Sequence, residues 1–277
     1  MNHLHFFVRS LLTVSFLFLY GFLYSQDKTG SGKYEPVLGQ EGKDVRWFPT
    51  PQELVDKMLD MAKITPSDFL VDLGSGDGVT VITAAKRGVR GVGIEYNPDL
   101  VELSKINAAK AGVKEMVEFV KADLFNYDFS KATVLTLFLL PEINLRLRPR
   151  ILEMKPGTRV VSTTFTMQNW QHDDMVTIVD PSSKWTTAYL WIVPAKVNGT
   201  WKFPGGELKL AQKFQMVSGK ITSAGKSADI SNGRLRGNDF TFVAGDTLYS
   251  CKITGNLMKG TFESKGKTSN WTAQKVK

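Results

Sequence analysis

The stretch VDLGSGDG, from Val71 to Gly78, puts a carboxylate, Asp72, two residues ahead of a loop in which Gly74, Gly76 and Gly78 alternate with Ser75 and Asp77. Glycines at this spacing let a ligand approach the backbone closely. A dinucleotide loop reads G-x-G-x-x-G, and here the third glycine arrives one position early. No Gly-Lys-Ser/Thr follows, so a Walker loop is excluded too. Asp77 is the stronger exclusion, because a carboxylate inside the loop repels phosphate where a phosphate loop must attract it. The loop suits a nucleoside with a cationic end.

Two further acids extend the pattern. Glu95 follows a second apolar run, 17 residues after Gly78. An acid about 20 residues past such a loop accepts the hydroxyls of a ribose. Asp123 follows a third apolar run and is placed to accept from an exocyclic amine such as that of adenine. Adenine, ribose and a charged amino-acid tail together describe S-adenosylmethionine. Competing readings are a plain tight turn for the glycines, a helix cap for Asp123, and ordinary packing instead of adenosine stacking for Tyr96.

The elements that must hold these residues alternate. PTPQELVDKMLDMAKI reads as a helix with Thr50 as its cap, Pro51 at its first position and Glu53 completing a capping box. DFLVDLG, GVRGVGIEY, VEFVKAD, ATVLTLFLL and TRVVSTTF read as five strands, ending at Asp72, at Glu95, at Asp123, before Pro141 and near Phe165. Between them lie the helices VTVITAAKRG, NPDLVELSKINAAKAG (capped by Asn97 and stopped by Gly112) and PEINLRLRPRILEM, the last broken before Pro149. This alternation predicts an α/β domain with a doubly wound, Rossmann-like parallel sheet, whose ligands bind outside the carboxyl ends of the strands. Asp123–Leu124 and Leu139–Leu140–Pro141 stand at two of those ends. Arg146, Arg148 and Arg150 read as a solvated helix face and His172 as a surface residue.

From Met175 the pattern changes to short alternating stretches, such as ELKLAQKFQMV and GRLRGNDFTFV. Turn signals divide them at Asn198-Gly199, Asn232-Gly233, Gly237-Asn238 and Gly255-Asn256. This predicts a smaller antiparallel all-β domain, sandwich or barrel, over 175–277. Residues 1–175 carry 20 Lys+Arg against 21 Asp+Glu, whereas residues 176–277 carry 15 against 6. The basic character therefore belongs to the second domain, where it serves solubility or an anionic membrane surface. One cysteine, Cys251, and three histidines exclude a disulfide framework and a Cys/His metal cluster.

At the N-terminus, Arg9 precedes an uncharged run from Ser10 to Ser25. Residues 1–25 read as a signal peptide or membrane anchor, and 26–43 as a linker. The expected location is membrane-associated or exported, on an undetermined side.

VDLGSGDG, GVGIEYNP, VKADLF and MKPGTRVV, in this order, resemble the motifs of the class I S-adenosylmethionine-dependent methyltransferases over 44–174. With the upstream WFPTPQELVDKML, the chain is similar to the lysine methyltransferases that carry an N-terminal hydrophobic segment and include the ATP-synthase c-subunit methyltransferase. More distantly it is similar to the Dot1 group. The resemblance implies that Phe48, Pro49 and Thr50 fold over the cofactor. It also implies that Asp72, Gly74, Ser75, Gly76, Asp77, Gly78, Glu95, Tyr96, Asp123, Leu124 and Leu140 surround it. Where many methyltransferases hold a planar nitrogen with Asn/Asp-Pro-Pro-Tyr/Phe, this chain has Leu139-Leu140-Pro141-Glu142, which argues against adenine-N6 or glutamine acceptors. The expected function is direct methyl transfer to a protein, with lysine suspected, or to a small molecule. Nucleic acid is not an expected partner, and no catalytic side chain or metal is assigned. The alternative is a non-catalytic cofactor- or nucleoside-binding module of the cell envelope on the same fold.

Overall fold

The computed structural model describes residues 34–276. The predicted signal peptide or anchor, and residues 26–33 of the predicted linker, lie outside the described residues.

Five parallel strands form first: β1 (Phe69–Leu73), β2 (Arg90–Glu95), β3 (Val117–Lys121), β4 (Val134–Leu137) and β5 (Arg159–Thr163). Their near-continuous apolar runs are those of strands buried on both faces. Four helices accompany them: α1 (Gln52–Met61), α2 (Val79–Lys86), α3 (Pro98–Lys110) and α4 (Pro141–Leu152). Asn97 caps α3 as its sequence requires, its side-chain oxygen accepting from Asp99 N at 2.9 Å. Gly112 stops the helix at φ +72°.

The capping box expected for α1 does not form. Pro51 is the cap residue and no side chain caps the helix, which leaves Thr50 in the cleft described below. The break expected before Pro149 is also absent. The α4 helix runs through that proline, held by its arginines. Arg150 donates to the carbonyls of Phe125 (2.5 Å) and Tyr127 (2.6 Å), and Arg148 to that of Met167 (2.9 Å). Arg148 and Arg150 are structural ties, whereas Arg146 is exposed as expected, its guanidinium over the Phe125 ring.

The sheet does not end at the predicted boundary. β6 (Asp174–Thr177) and β7 (Thr187–Ile192) join it in the order β3-β2-β1-β4-β5-β7-β6, with β7 antiparallel to both neighbours. The alternation that begins at Met175 is thus first the edge of the α/β sheet. Such alternation marks a strand with unlike faces, and an edge hairpin and a separate β-domain share it. The expected cut between Asp174 and Met175 falls inside β6.

The second domain starts later, as a closed eight-stranded barrel. Its strands are β8 (Gly199–Phe203), β9 (Gly206–Lys213), β10 (Met216–Ser223), β11 (Lys226–Arg236), β12 (Asp239–Ala244), β13 (Thr247–Thr254), β14 (Leu257–Ser264) and β15 (Lys267–Lys275). Trp201, Phe240, Phe242, Met258 and Trp271 help fill its interior, as in other barrels of eight strands. Asn232-Gly233, expected to be a turn, instead forms a bulge within β11. Asn232 takes φ +52° and the pairing shifts register there.

The barrel is joined to the sheet at the amino ends of β4 and β5. Gly157 N donates to Val193 O (2.9 Å) and Ala195 N to Gly237 O (2.8 Å). Nearby, Trp170 stacks on Phe214 with ring centres 5.8 Å apart. Arg234 of β11 pairs with Asp173 at 2.7 Å, and the Asp173 side chain is fully buried. His172, close by, packs against Tyr189 and Trp191.

Candidate active site

A cleft of about 470 Å³ opens at the carboxyl ends of β1, β2, β4 and β5, where open α/β sheets bind ligands. Gly74, Gly76 and Gly78 all have positive φ. This is a conformation that L side chains adopt only with strain. Space excludes side chains as well: a Cβ at Gly76 would lie 2.7 Å from Trp47 Nε1, and one at Gly78 would lie 2.8 Å from the Phe119 ring.

Three carboxylates converge on this loop. Asp72 Oδ1 accepts from Thr136 Oγ1 at 2.7 Å, and burial pushes its carboxyl up to about 7, with Glu95 and Asp77 adding to the shift. Glu95 accepts from the backbone N–H of Gly76 (3.0 Å), Tyr96 (2.8 Å) and Asn97 (2.9 Å). Burial raises its carboxyl and that of Asp77 above the ordinary range. One buried and two half-buried acids without a basic partner in the loop make a site for cationic and hydroxyl groups. A carboxylate has about four acceptor positions, so Glu95 keeps room for a ribose hydroxyl. Ser75 Oγ is buried without a hydrogen-bond partner at the same place. These residues fit S-adenosylmethionine: Glu95 would hold the ribose, and Asp72 and Asp77 would face the cationic tail.

A strap over residues 40–50 covers the loop. It turns back on itself through bonds between Gln40 and Trp47 and between Gly39 and Trp47, each 3.0 Å. Phe48 and Thr50 of the strap line the cleft, while Pro49 is exposed. Lys43, which sequence reasoning passed over, lines the cleft and reaches outward. Its Nζ lies 2.6 Å from Asp123 and 5.0 Å from the Tyr96 ring centre.

Among the residues expected at the site, Phe48, Thr50, Asp72, Gly74, Ser75, Gly76, Asp77, Glu95 and Leu140 line the cleft. Pro49, Gly78, Tyr96, Asp123 and Leu124 do not. Gly78 caps α2. Leu124 packs against the hydrophobic core. Asp123, expected to accept from an adenine amine, holds Lys43 and the N–H of Phe125. That ion pair keeps its carboxyl below the ordinary range.

The remaining wall is aromatic: Phe138 after β4, Phe165 after β5 and Trp185 between β6 and β7 line the same cleft as Phe48. None of the three was singled out from the sequence. Their one sequence signal is position, since Phe138 and Phe165 directly follow apolar strand runs.

Sheet order, glycine loop and acidic strand ends define a class I S-adenosylmethionine-dependent methyltransferase. Residues 72–174 match the family described as the ANTKMT methyltransferase domain. The chain is 39% identical over 152 residues to a protein-lysine N-methyltransferase of Saccharolobus islandicus, a match that covers 54% of this chain and 94% of that protein. It is 39% identical over 105 residues to the ATP-synthase c-subunit lysine N-methyltransferase of Mus musculus, covering 38% of this chain and 42% of that protein, so it spans less than half of the mouse relative. Among solved structures, an RNA methyltransferase from Salinibacter ruber in complex with S-adenosyl-L-homocysteine is similar at 48% identity and a TM-score of 0.50, over 54% of this chain and 96% of that one. The chain belongs to the family of the ANTKMT and ATP-synthase c-subunit lysine methyltransferases, and it is an S-adenosylmethionine-dependent methyltransferase.

Proposed function

We propose that this enzyme methylates the ε-amine of lysine in a protein. The observation that carries the reading is the Saccharolobus protein-lysine methyltransferase, matched over nearly its whole length. The bound cofactor supplies an electrophilic methyl group. Asp72, Asp77 and Glu95 orient its polar parts, and the strap residues Trp47 and Phe48 exclude water from the reacting end. A lysine amine would attack in line after its ammonium has released a proton to solvent water. No side-chain nucleophile is needed, because the leaving thioether is neutral.

The Salinibacter structure favours a second reading, an RNA acceptor. Purified enzyme with methyl-labelled cofactor is offered protein and RNA fractions of the source cells separately. Label released from the protein fraction as methyl-lysine after acid hydrolysis supports the first reading. Label in RNA alone overturns it.

Two finer points belong to the same reading. The uncharged run Ser10–Ser25 tethers the enzyme at a membrane, and the basic barrel lies against an anionic lipid surface. Mass spectrometry of the natively expressed protein tests the tether: a mature N-terminus at Gln26 removes it.

A further inference from the structure

The four rings at the far end of the cleft remain unexplained by cofactor binding. Phe138, Phe165, Trp185 and Phe48 form a continuous set. Phe138–Trp185 and Phe48–Trp185 centroids are each 5.5 Å apart, and Phe165–Trp185 centroids are 6.0 Å apart. All four are only half-buried, and none belongs to the hydrophobic clusters that hold the sheet and helices together. Large apolar rings grouped at the surface and facing a cleft mark a binding function.

Their place in the sheet fixes which ligand they meet. Glu95, the ribose acceptor, ends β2, and the glycine loop follows β1. In the order β2-β1-β4-β5-β7-β6, the rings follow β4 and β5 and stand between β6 and β7. They lie on the opposite side of the loop from Glu95, so a cofactor whose ribose is held by Glu95 and which stretches across the loop would point its reacting end at them.

The residue before one of these rings is held in a costly conformation. Thr164, β-branched, takes φ +64°, a region such residues occupy only under strain. Its neighbour's carbonyl is pinned from below: Phe165 O accepts from Ser162 Oγ at 2.8 Å and from Asn144 Nδ2 at 3.4 Å. Asn144 and Ser162 are both fully buried. Strain held in place by two buried donors fixes the Phe165 ring at the cleft wall before any ligand arrives.

We propose that Phe138, Phe165 and Trp185, closed by Phe48 of the strap, form the subsite that grips the acceptor's cationic alkyl side chain, and that Ser162 and Asn144 are positioning residues for Phe165. The proposal rests on the lysine reading above. Ring faces attract an alkylammonium, and ring bodies pack its methylene stem. The subsite explains how an enzyme without the Asn/Asp-Pro-Pro-Tyr/Phe tetrad orients its acceptor: by enclosing a flexible cation, not by hydrogen-bonding a planar amide. Because Phe48 sits on the strap with Trp47, the subsite is complete only when the strap lies over the glycine loop.

The test uses the full chain, with the protein fraction of the source cells as acceptor at graded concentration and methyl-lysine as the readout. Trp185→Ala raises the apparent acceptor KM by about tenfold with kcat changed much less. Its affinity for S-adenosylhomocysteine, measured by calorimetry, stays at the wild-type value. Trp185→Phe recovers most of the loss. Ser162→Ala raises the same KM by about threefold, again without affecting cofactor affinity. Circular dichroism confirms folding, and Phe165→Leu, expected to raise the same KM, serves if Trp185→Ala misfolds. An unchanged acceptor KM in folded Trp185→Ala and Phe165→Leu proteins overturns the subsite while the lysine reading stands. An equal loss of S-adenosylhomocysteine affinity also overturns it, making the rings a cofactor wall. Failure of the wild-type enzyme to yield methyl-lysine removes the lysine reading itself, and the subsite with it.

Discussion

The two β-systems of this chain solve opposite problems. The seven-stranded sheet leaves the carboxyl ends of its strands open and gathers Asp72, Asp77 and Glu95 there, Asp72 buried and the other two half-buried, all raised in pKa. The eight-stranded barrel closes on itself and spends its interior on apolar and aromatic side chains. Open strand ends accept electrostatic cost because a ligand later relieves it, whereas a filled barrel has nothing to relieve. The barrel is joined at the amino ends of the sheet, away from the cleft, so chemistry and barrel are spatially separate. Substitutions in the open region therefore act on binding, and those in the barrel on stability.

The sharpest way to break that division is Gly76→Val. The position has φ +55°, and a Cβ there meets Trp47 of the strap at 2.7 Å. A β-branched residue costs about 1–2 kcal/mol in this conformation before the clash is counted. S-adenosylhomocysteine affinity falls by at least ~30-fold in calorimetry. The far-ultraviolet dichroism of the barrel strands is retained.

Next in size is Glu95→Ala. It removes a ribose acceptor and the carboxylate that holds the Gly76, Tyr96 and Asn97 amides. Affinity drops about tenfold to a hundredfold, since charge-assisted bonds are worth ~1.5–3 kcal/mol. Wild-type affinity in the variant would detach the ribose from this strand end.

These effects also show what the sequence could and could not reveal. The glycine loop, Asp72 and Glu95 were legible because their spacing is local: a strand end and the turn after it sit within a few residues. The Asn97 cap and Gly112 stop were legible for the same reason. Lys43, Trp47 and Trp185 were not, since each meets the cleft through a loop whose path is fixed by packing far away in sequence, as Lys43 does with Asp123. The domain boundary was misplaced because the β7–β6 edge hairpin alternates like a barrel strand, and only pairing distinguishes them. Thr50 looked like a cap because the local pattern is one. The strap needs it elsewhere.

Asp72 makes the same division visible through pH. Its folded carboxyl titrates near 7, against 3.8 ordinarily, chiefly through burial. Between these values the folded state holds a proton that the unfolded state has released. Asp72 therefore favours folding most below about pH 4, and that contribution declines as pH rises toward 7. Cofactor binding has the opposite sign, because the cationic tail needs the ionised carboxylate. Affinity for S-adenosylmethionine rises about tenfold from pH 6 to pH 8. In Asp72→Asn it is weaker and flat across that range, and a sloping profile in that variant would assign the titration to another group.

At the junction, Arg234→Met leaves the buried Asp173 carboxylate with the Ile192 N–H at 2.8 Å as its remaining partner. Removing one member of a buried pair is costly, but the partly exposed Arg234 moderates the loss to about 1–2 kcal/mol. Thermal unfolding shows it as a lower midpoint. S-adenosylhomocysteine affinity is unchanged, because the junction lies at the amino ends of the strands. A weakened affinity would mean that the barrel does reach the cleft.

The smallest effect lies on the barrel's outer face, where Lys252 on β13 stands directly opposite Lys259 on β14, and Lys209 on β9 opposite Lys220 on β10. Like charges facing each other across an antiparallel pair are mildly destabilising. Neighbouring acids soften this, since Asp239 lies 2.7 Å from Lys252. Lys259→Glu replaces one repulsion with an attraction and raises stability by a few tenths of a kcal/mol, with methyl transfer in solution unchanged. The same variant tests whether the barrel's charge has a partner. If the basic face lies on anionic lipid, the substitution weakens co-sedimentation with phosphatidylserine vesicles at low salt, and wild-type binding fades as salt rises, because exposed charges are screened beyond about 10 Å at 0.1 M. Wild-type protein that ignores such vesicles at low salt leaves solubility as the sufficient reason for the charge, and the chain has then kept two unfavourable lysine pairs for that alone.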